Sequence, residues 1–377
     1  MEPIASRPLN ILHVFRAPVG GLFRHVVDLA RGQAARGHHV GLIADSSTGG
    51  TRADDVLAGL AHDLTLGISK HPFPRHLGAG DVSGVRHVNA RIAETKAHVI
   101  HGHGAKGGAY ARLAVAPEGT IRVYTPHGGS LHYRLTTPLG LLYLGLERVL
   151  MPRSDLFLFE SEYSFDTFRA KVGTPRGLTR VVHNGIGEAD FALVQPAADA
   201  TDILFIGELR AIKGIDVLVE AIALLHRQGR RVTATIVGAG PDGQSLHDEV
   251  AARGMAQAVR FLPAMPARRA FALGRVMAVP SRSESLPYIV LEAAGAGLPL
   301  TATRVGGIPE IFGAGSSRLV PPEDAPALAA ALAAMLDNPT ESRAAAEALR
   351  SRVHAHFSVD SMVHQVLEAY LQTLQSA

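Results

Sequence analysis

Two acids, Glu284 and Glu292, stand in the otherwise apolar stretch SRSESLPYIVLEAAGAGLPL, residues 281–300. An unpaired carboxylate in such surroundings is costly, so each needs hydroxyl or cationic partners. VMAVPS before Glu284 reads as a buried strand, and Pro287 suits the first position of a helix. Glu284 is therefore expected in the loop above a strand end, and Glu292 about a turn and a half into the helix. On spacing alone, a capping acid plus a salt bridge fits as well as a pair of ligand-binding carboxylates.

Other groups could join them. GELRAIKG, Gly207 to Gly214, sits between a strand and a helix and offers Arg210 and Lys213 beside helix N-terminal amides, an arrangement suited to an anion. The pair Gly20 and Gly21 permits either a tight turn or close backbone approach. His127 in TPHGGSLHY and the pair His101 and His103 in HGHG fall at strand ends. An i, i+2 pair on a strand places both rings on one face, but histidines there usually serve as hydrogen-bonding groups, so no metal is expected. GAGPDG, Gly238 to Gly243, matches the G-x-G-x-x-G dinucleotide fingerprint after a strand. The strand that follows, VRFLPAMP, lacks the acid that would hold a ribose.

These groups need scaffolds. NILHVF, a glycine segment, the helical VVDLARGQAARG and the strand HHVGLIAD make a strand, loop, helix, strand unit of a parallel sheet. HVIHGHG, IRVYTPHGG, DLFLFES and TRVVHNGI continue it, with His, Gly, Ser or Asn at the strand ends where open α/β sheets bind ligands. A second series begins at DILFIGELRAIKG, after the polar stretch 188–202, which reads as a linker. From about Pro326 the chain is helical in pattern.

The quoted pieces, with GGLFRHVVDLARGQAARGHHV, VVHNGI, IVGAGPDG and PSRSESLPYIVLEAAGAGLPLTATRVGGIPEIF, resemble the family-four retaining glycosyltransferases, the last through an E-x7-E signature. The resemblance spans essentially the whole chain. It implies an α/β GT-B fold, two doubly wound Rossmann-like domains facing a central cleft. Residues 1–187 would be the acceptor-side domain, with a helix at about 358–377 packing back on it. Residues 188–357 would bind the nucleotide sugar. By the same resemblance Glu284 would bond the transferred sugar and Glu292 the ribose, while Arg210 and Lys213 neutralise the diphosphate. Leu286, Tyr288 and Ile289 would contribute backbone amides, and His127 would lie near the sugar. Gly20, Gly21, Gly207, Gly238 and Leu262 complete the donor-binding set. Two positions depart from the family pattern: Glu208 stands where arginine is usual, and Pro287 where glycine is common.

The expected activity is a retaining, metal-independent hexosyl transfer from a UDP- or GDP-sugar to a glycan or lipid-linked glycan, in bacterial surface polysaccharide synthesis. No cofactor beyond that donor is expected. The alternatives are an NAD-dependent oxidoreductase built on GAGPDG, or a catalytically silent nucleotide-sugar-binding module.

Composition fits an enzyme of this kind. Of 377 residues 47% are hydrophobic and 19% charged, ample for a core. The absence of cysteine excludes disulfides and thiolate metal sites. The start, MEPIASRPLNILHVF, has no signal-peptide pattern, and a cytoplasmic location is expected. Charge is uneven: up to Gly185 there are 21 Lys+Arg against 14 Asp+Glu, a balance of +7, and the remainder carries 16 against 20, or −4. The basic half implies a peripheral contact with the inner face of the cell membrane rather than with nucleic acid.

Overall fold

The computed structural model describes residues 7–376. It divides into two compact units, one of residues 7–184 with 359–376 and the other of residues 185–358.

The first unit alternates strand and helix: β1 (Asn10–Phe15), α1 (Gly20–Ala34), β2 (His39–Asp45), α2 (Gly50–Leu60), β3 (Gly67–His71), α3 (Gly80–Thr95), β4 (Val99–His103), α4 (Gly104–Leu113), β5 (Ile121–Thr125), α5 (Pro138–Leu150), β6 (Leu156–Phe159), α6 (Glu162–Lys171) and β7 (Leu178–Val181). The seven strands are parallel, in the order β3-β2-β1-β4-β5-β6-β7. The order reverses between β1 and β4, so their C-terminal ends open a crevice, the place where doubly wound sheets bind ligands. The inner strands β1, β2, β4, β5 and β6 are buried along both faces because helices cover both.

The second unit runs β8 (Thr201–Ile206), α7 (Ile215–Arg227), β9 (Ala234–Val237), α8 (Gly243–Ala252), β10 (Val259–Leu262), α9 (Ala267–Ala270), β11 (Gly274–Val279), α10 (Tyr288–Gly295), β12 (Leu300–Ala302), α11 (Ile308–Phe312), α12 (Ala325–Asp337) and α13 (Pro339–His356). Its parallel order is β10-β9-β8-β11-β12, with the reversal between β8 and β11. Alternation divides its core: Ile203, Phe205, Val276 and Ala278 face the layer with α7 and α12, whereas Leu204, Met277 and Val279 face the layer with α10. The polar stretch read as a linker belongs to this unit, since Val194 N donates to Ala296 O and Ala197 N to Ala272 O.

The last helix, α14 (Val359–Ser376), packs on α1 and buries Met362, Val363, Val366 and Tyr370 in the first unit's core. Gly32 of α1 permits this approach, because a Cβ there would come within 2.5 Å of a Val363 methyl.

One buried polar group anchors the loop between β5 and α5. Arg112 is fully buried, lies 3.8 Å from the centre of the Tyr124 ring and pairs with Glu147 at 2.8 Å. Glu147 also accepts from Tyr124 Oη and Ser130 Oγ, each at 2.7 Å. Glu147→Ala removes the counter-charge from a buried guanidinium and is expected to cost about 3–5 kcal/mol of stability, measured by urea unfolding. A loss below about 1 kcal/mol would contradict this role.

Candidate active site

In the second unit the chemistry gathers at the switch point between β8 and β11. GELRAIKG follows β8: Gly207 N donates to Val237 O at 3.0 Å, and residues Ala211–Lys213 form a single 3-10 turn. Gly214, at φ +66°, then caps α7. A Cβ on Gly214 would lie 2.0 Å from Pro280 O, so only glycine lets this loop touch the one after β11. Arg282 fastens the two loops. Its N–H donates to Ile212 O at 2.8 Å, and its guanidinium spans both oxygens of Asp216, at 2.8 and 2.6 Å.

This contact delivers Lys213 to Glu284. Lys213 Nζ donates to Glu284 Oε1 at 2.6 Å and Ser281 Oγ donates to the same oxygen at 2.7 Å, leaving Oε2 for a further donor. Glu284 is 8% exposed. Its backbone is pressed by Gly306, whose Cβ would meet Glu284 O at 1.8 Å, while Gly307 N donates to Ser285 O. The GGIPE segment therefore shapes the back of the Glu284 loop. The predicted acid thus has a partner, and that partner is the predicted diphosphate cation rather than an unrelated base.

The remaining predicted groups of this unit are placed as follows. Helix α10 begins at Tyr288 behind Pro287, so its first-turn amides and partial positive charge face the end where Leu286, Tyr288 and Ile289 lie. Leu286 and Tyr288 are buried and Ile289 is half-buried. Glu292 is half-buried and lies one turn into α10, somewhat nearer its start than the spacing implied. Gly207, Gly238 and Leu262 stand side by side at the ends of β8, β9 and β10, with Gly238 N donating to Leu262 O at 3.0 Å. Arg210 is half-exposed and pairs with Glu208 at 3.2 Å, so its neighbour partly neutralises it.

The GAGPDG glycines serve the protein's own backbone. A Cβ on Gly238 would lie 1.9 Å from Gly207 O, and one on Gly240 2.3 Å from Leu209 O. The close approach that a dinucleotide pyrophosphate would need is taken by the loop after β8.

In the first unit, Gly20 and Gly21 open α1 instead of forming a separate turn, and Gly20 adopts φ +64°. His127 follows β5 at φ +51°, a left-handed conformation that costs a non-glycine residue of order 1–3 kcal/mol, and Gly128 and Gly129 continue the bend. His127 is not alone. His103 Nδ1 lies 3.0 Å from His127 Nε2, His103 Nε2 lies 2.9 Å from His13 Nδ1, and His13 Nε2 lies 2.8 Å from Gln33 Oε1. His25 stands edge-on to His127, ring centres 4.6 Å apart, and sets its Nδ1 3.0 Å from Asn184 Oδ1. His101 is held by Tyr370 Oη at 2.6 Å and Thr125 Oγ1 at 2.8 Å. Burial pushes His13 and His25 down to about 4, and their hydrogen bonds to Gln33 and Asn184 only partly offset it. Burial, reinforced by neighbouring imidazoles, holds His101, His103 and His127 well below the usual histidine range.

Sequence reasoning missed Arg282, Ser281, His13, His25, Gln33 and Asn184. The available signal was a histidine inside each apolar pattern, NILHVF and GGLFRHVV. A cavity of about 980 Å³ elsewhere in the second unit, lined by Phe312, Met335, Leu349 and Arg352 among others, contains none of the predicted site residues.

With this geometry in hand, the relatives are informative. Residues 19–189 match the family described as Glycosyltransferase Family 4, and residues 200–338 match Glycosyl transferases group 1. The chain belongs to the family-four glycosyltransferases. It is 25% identical to a glycogen synthase of Mycobacterium tuberculosis over 378 aligned positions, covering 94% of this chain and 91% of that one. It superposes on the sucrose-phosphate synthase of Thermosynechococcus elongatus with TM-score 0.79 at 20% identity, covering 98% and 100% of the two chains. HepE of Anabaena, solved in complex with UDP-glucose, gives TM-score 0.78 at 20% identity with the same coverage. These neighbours establish the fold of this family-four glycosyltransferase as GT-B.

The histidine array predicts a pH dependence. The folded chain keeps these rings neutral while the unfolded chain takes up protons below about pH 6.5, so stability falls as pH drops from about 6.5 towards 4. The slope is about 1.4 kcal/mol per pH unit for each such histidine. Thermal unfolding between pH 8 and 5 at constant ionic strength measures it. A flat profile would refute the neutral array.

Proposed function

We propose that this glycosyltransferase is a retaining, metal-independent hexosyltransferase whose donor is a UDP- or GDP-sugar and whose acceptor is a glycan or lipid-linked glycan of bacterial surface polysaccharide synthesis. The observation that carries the reading is the Lys213–Glu284 pair at the β8/β11 switch point, beside the N-terminus of α10. A cation and a carboxylate so close can serve both ends of a sugar-phosphate bond. Breaking that bond builds negative charge on the departing diphosphate, which Lys213, Arg210 and the α10 amides would take without a divalent cation there. Glu284 Oε2 accepts from a sugar hydroxyl, and Glu292 from the ribose. Gly207, Gly238 and Leu262 offer backbone to the base. Of the remaining assigned residues, His127 and the Gly20–Gly21 helix start belong to the first unit. The acceptor attacks from the face the diphosphate leaves, so the departing phosphate takes the proton and no separate protein base is assigned. UDP-glucose bound to HepE supports a nucleotide-sugar donor.

The acceptor side is argued from α5. This helix buries Leu144, Glu147 and Leu150 but leaves Leu139, Leu141, Leu142 and Val149 between 48% and 72% exposed. Arg134, Arg148 and Arg153 are exposed nearby in sequence. Leucines with basic residues at their edges suit the surface of an anionic bilayer. No helix among the described residues is long and apolar enough to cross a membrane, so the contact would be peripheral, at the cytoplasmic face.

Four measurements test these assignments. Nucleoside diphosphates should raise the melting temperature, and nicotinamide dinucleotides should not. Lys213→Ala and Glu284→Ala should each cut transfer by about a hundredfold or more, and Glu292→Ala should weaken donor binding by about 1.5–3 kcal/mol in calorimetry. Equal turnover in wild type and both variants would remove the catalytic assignment. For the membrane contact, the protein should sediment with anionic but not neutral liposomes, and Leu141→Ser with Leu142→Ser should abolish this. Charge-independent sedimentation would count against it.

A further inference from the structure

The histidines of the first unit do more than hydrogen-bond in pairs. We infer that His25, His103 and His127 form a three-histidine site for a transition-metal cation of the Zn2+ class, held where α1, β4 and the loop after β5 come together.

Tautomers follow from the outer partners. With the Asn184 amide oxygen accepting, His25 carries its proton on Nδ1, and Nε2 presents a bare lone pair. That nitrogen is buried and has no hydrogen-bond partner among the described residues, although His25 is only 3% exposed. With Gln33 Oε1 accepting, His13 is protonated on Nε2, so its Nδ1 accepts from His103 Nε2, and His103 presents its lone pair at Nδ1. Two lone pairs from buried rings therefore meet one proton, that on His127 Nε2. A cation takes the place of that proton, which moves to Nδ1 of the neutral His127 ring, and gives all three facing nitrogens a partner, including the orphaned one.

The geometry suits this exchange. One nitrogen from each of His25, His103 and His127 lies within 4.8 Å of the others. Metal–nitrogen bonds of about 2.0–2.1 Å in a tetrahedral site separate the ligand nitrogens by roughly 3.3 Å, so closing the set needs a shift of about 1.5 Å or less. Two of the ligands have their second nitrogen fixed by a hydrogen bond, the arrangement that orients imidazole on metals. An all-imidazole set selects Zn, Ni, Cu or Fe over Mg or Ca. The second triad, His13, His101 and His103, is a poorer choice, since both nitrogens of His101 are already engaged. The ion would pin the left-handed backbone at His127 and is separate in role from the cations that serve the diphosphate.

The test uses tag-free, chelator-treated full-length protein. Titration with Co2+ should give one equivalent of binding with visible d–d absorption between about 500 and 650 nm, displaced by Zn2+, and Zn2+ should raise the melting temperature. His25→Gln and His103→Gln should each weaken Zn2+ binding at least a hundredfold, while His62→Gln, at an exposed position, should leave it unchanged. Absence of micromolar binding in the wild type, or equal binding in all three variants, would overturn the site. Neither readout depends on sugar transfer, so the metal site and the donor assignment stand or fall separately.

Discussion

The interaction on which the second unit's site depends is a lysine and a glutamate held 2.6 Å apart in a largely apolar wall. Taking two charges from water is repaid only by close geometry and further hydrogen bonds. The fold supplies both through backbone rather than side chains. Gly214 lets one loop reach Pro280, Gly306 lets another press on Glu284, and Ser281 donates the second hydrogen bond. A site built this way is set before any ligand arrives. On the proposed reading, an entering phosphate would compete for Lys213, and a sugar hydroxyl would bond the open Glu284 Oε2.

The first unit solves a different problem at its own switch point. There the polar groups are imidazoles, and burial keeps them uncharged, so the desolvation cost is smaller than for an ion pair and is met by a chain of hydrogen bonds from Gln33 through His13 and His103 to His127. The chain ends on a residue whose backbone is itself in a costly conformation. Strain at His127 is tolerated because neighbours over-determine it: His25 packs edge-on, Gly128 and Gly129 complete the bend, and the Glu147 anchor holds Ser130 just beyond.

The legible part of this architecture was whatever lies close together along the chain. The α/β alternation, the helix beginning behind Pro287 and the cation loop before α7 all express local rules of period, capping and glycine placement. The pairing of Lys213 with Glu284 could be anticipated only in outline, because it spans 71 positions. Arg282 was invisible as the clasp of the two loops, since nothing in SRSES distinguishes a guanidinium that turns back to Asp216 from one in solvent. The same holds for His25 and Asn184, 159 positions apart. GAGPDG shows the converse, a pattern with a known chemical use whose glycines here serve backbone packing against residues 207–209.

On the proposed reading, the two departures from the family pattern would act on the same ligand. Glu208 draws Arg210 into a half-exposed pair, which in high dielectric is worth about 1 kcal/mol or less and is easily exchanged for a phosphate. Pro287 has no N–H to offer, but it stands ahead of α10 rather than within it, and the helix dipole that begins at Tyr288 is intact. On that reading the weight of a diphosphate's charge would shift toward Lys213, the cation that the glycine contact at Gly214 places most firmly. A lysine offers a point charge rather than a bidentate fork. Orientation of the leaving group would then come from the α10 amides and from Glu284, which on the same reading holds the sugar at the other side of the bond to be broken.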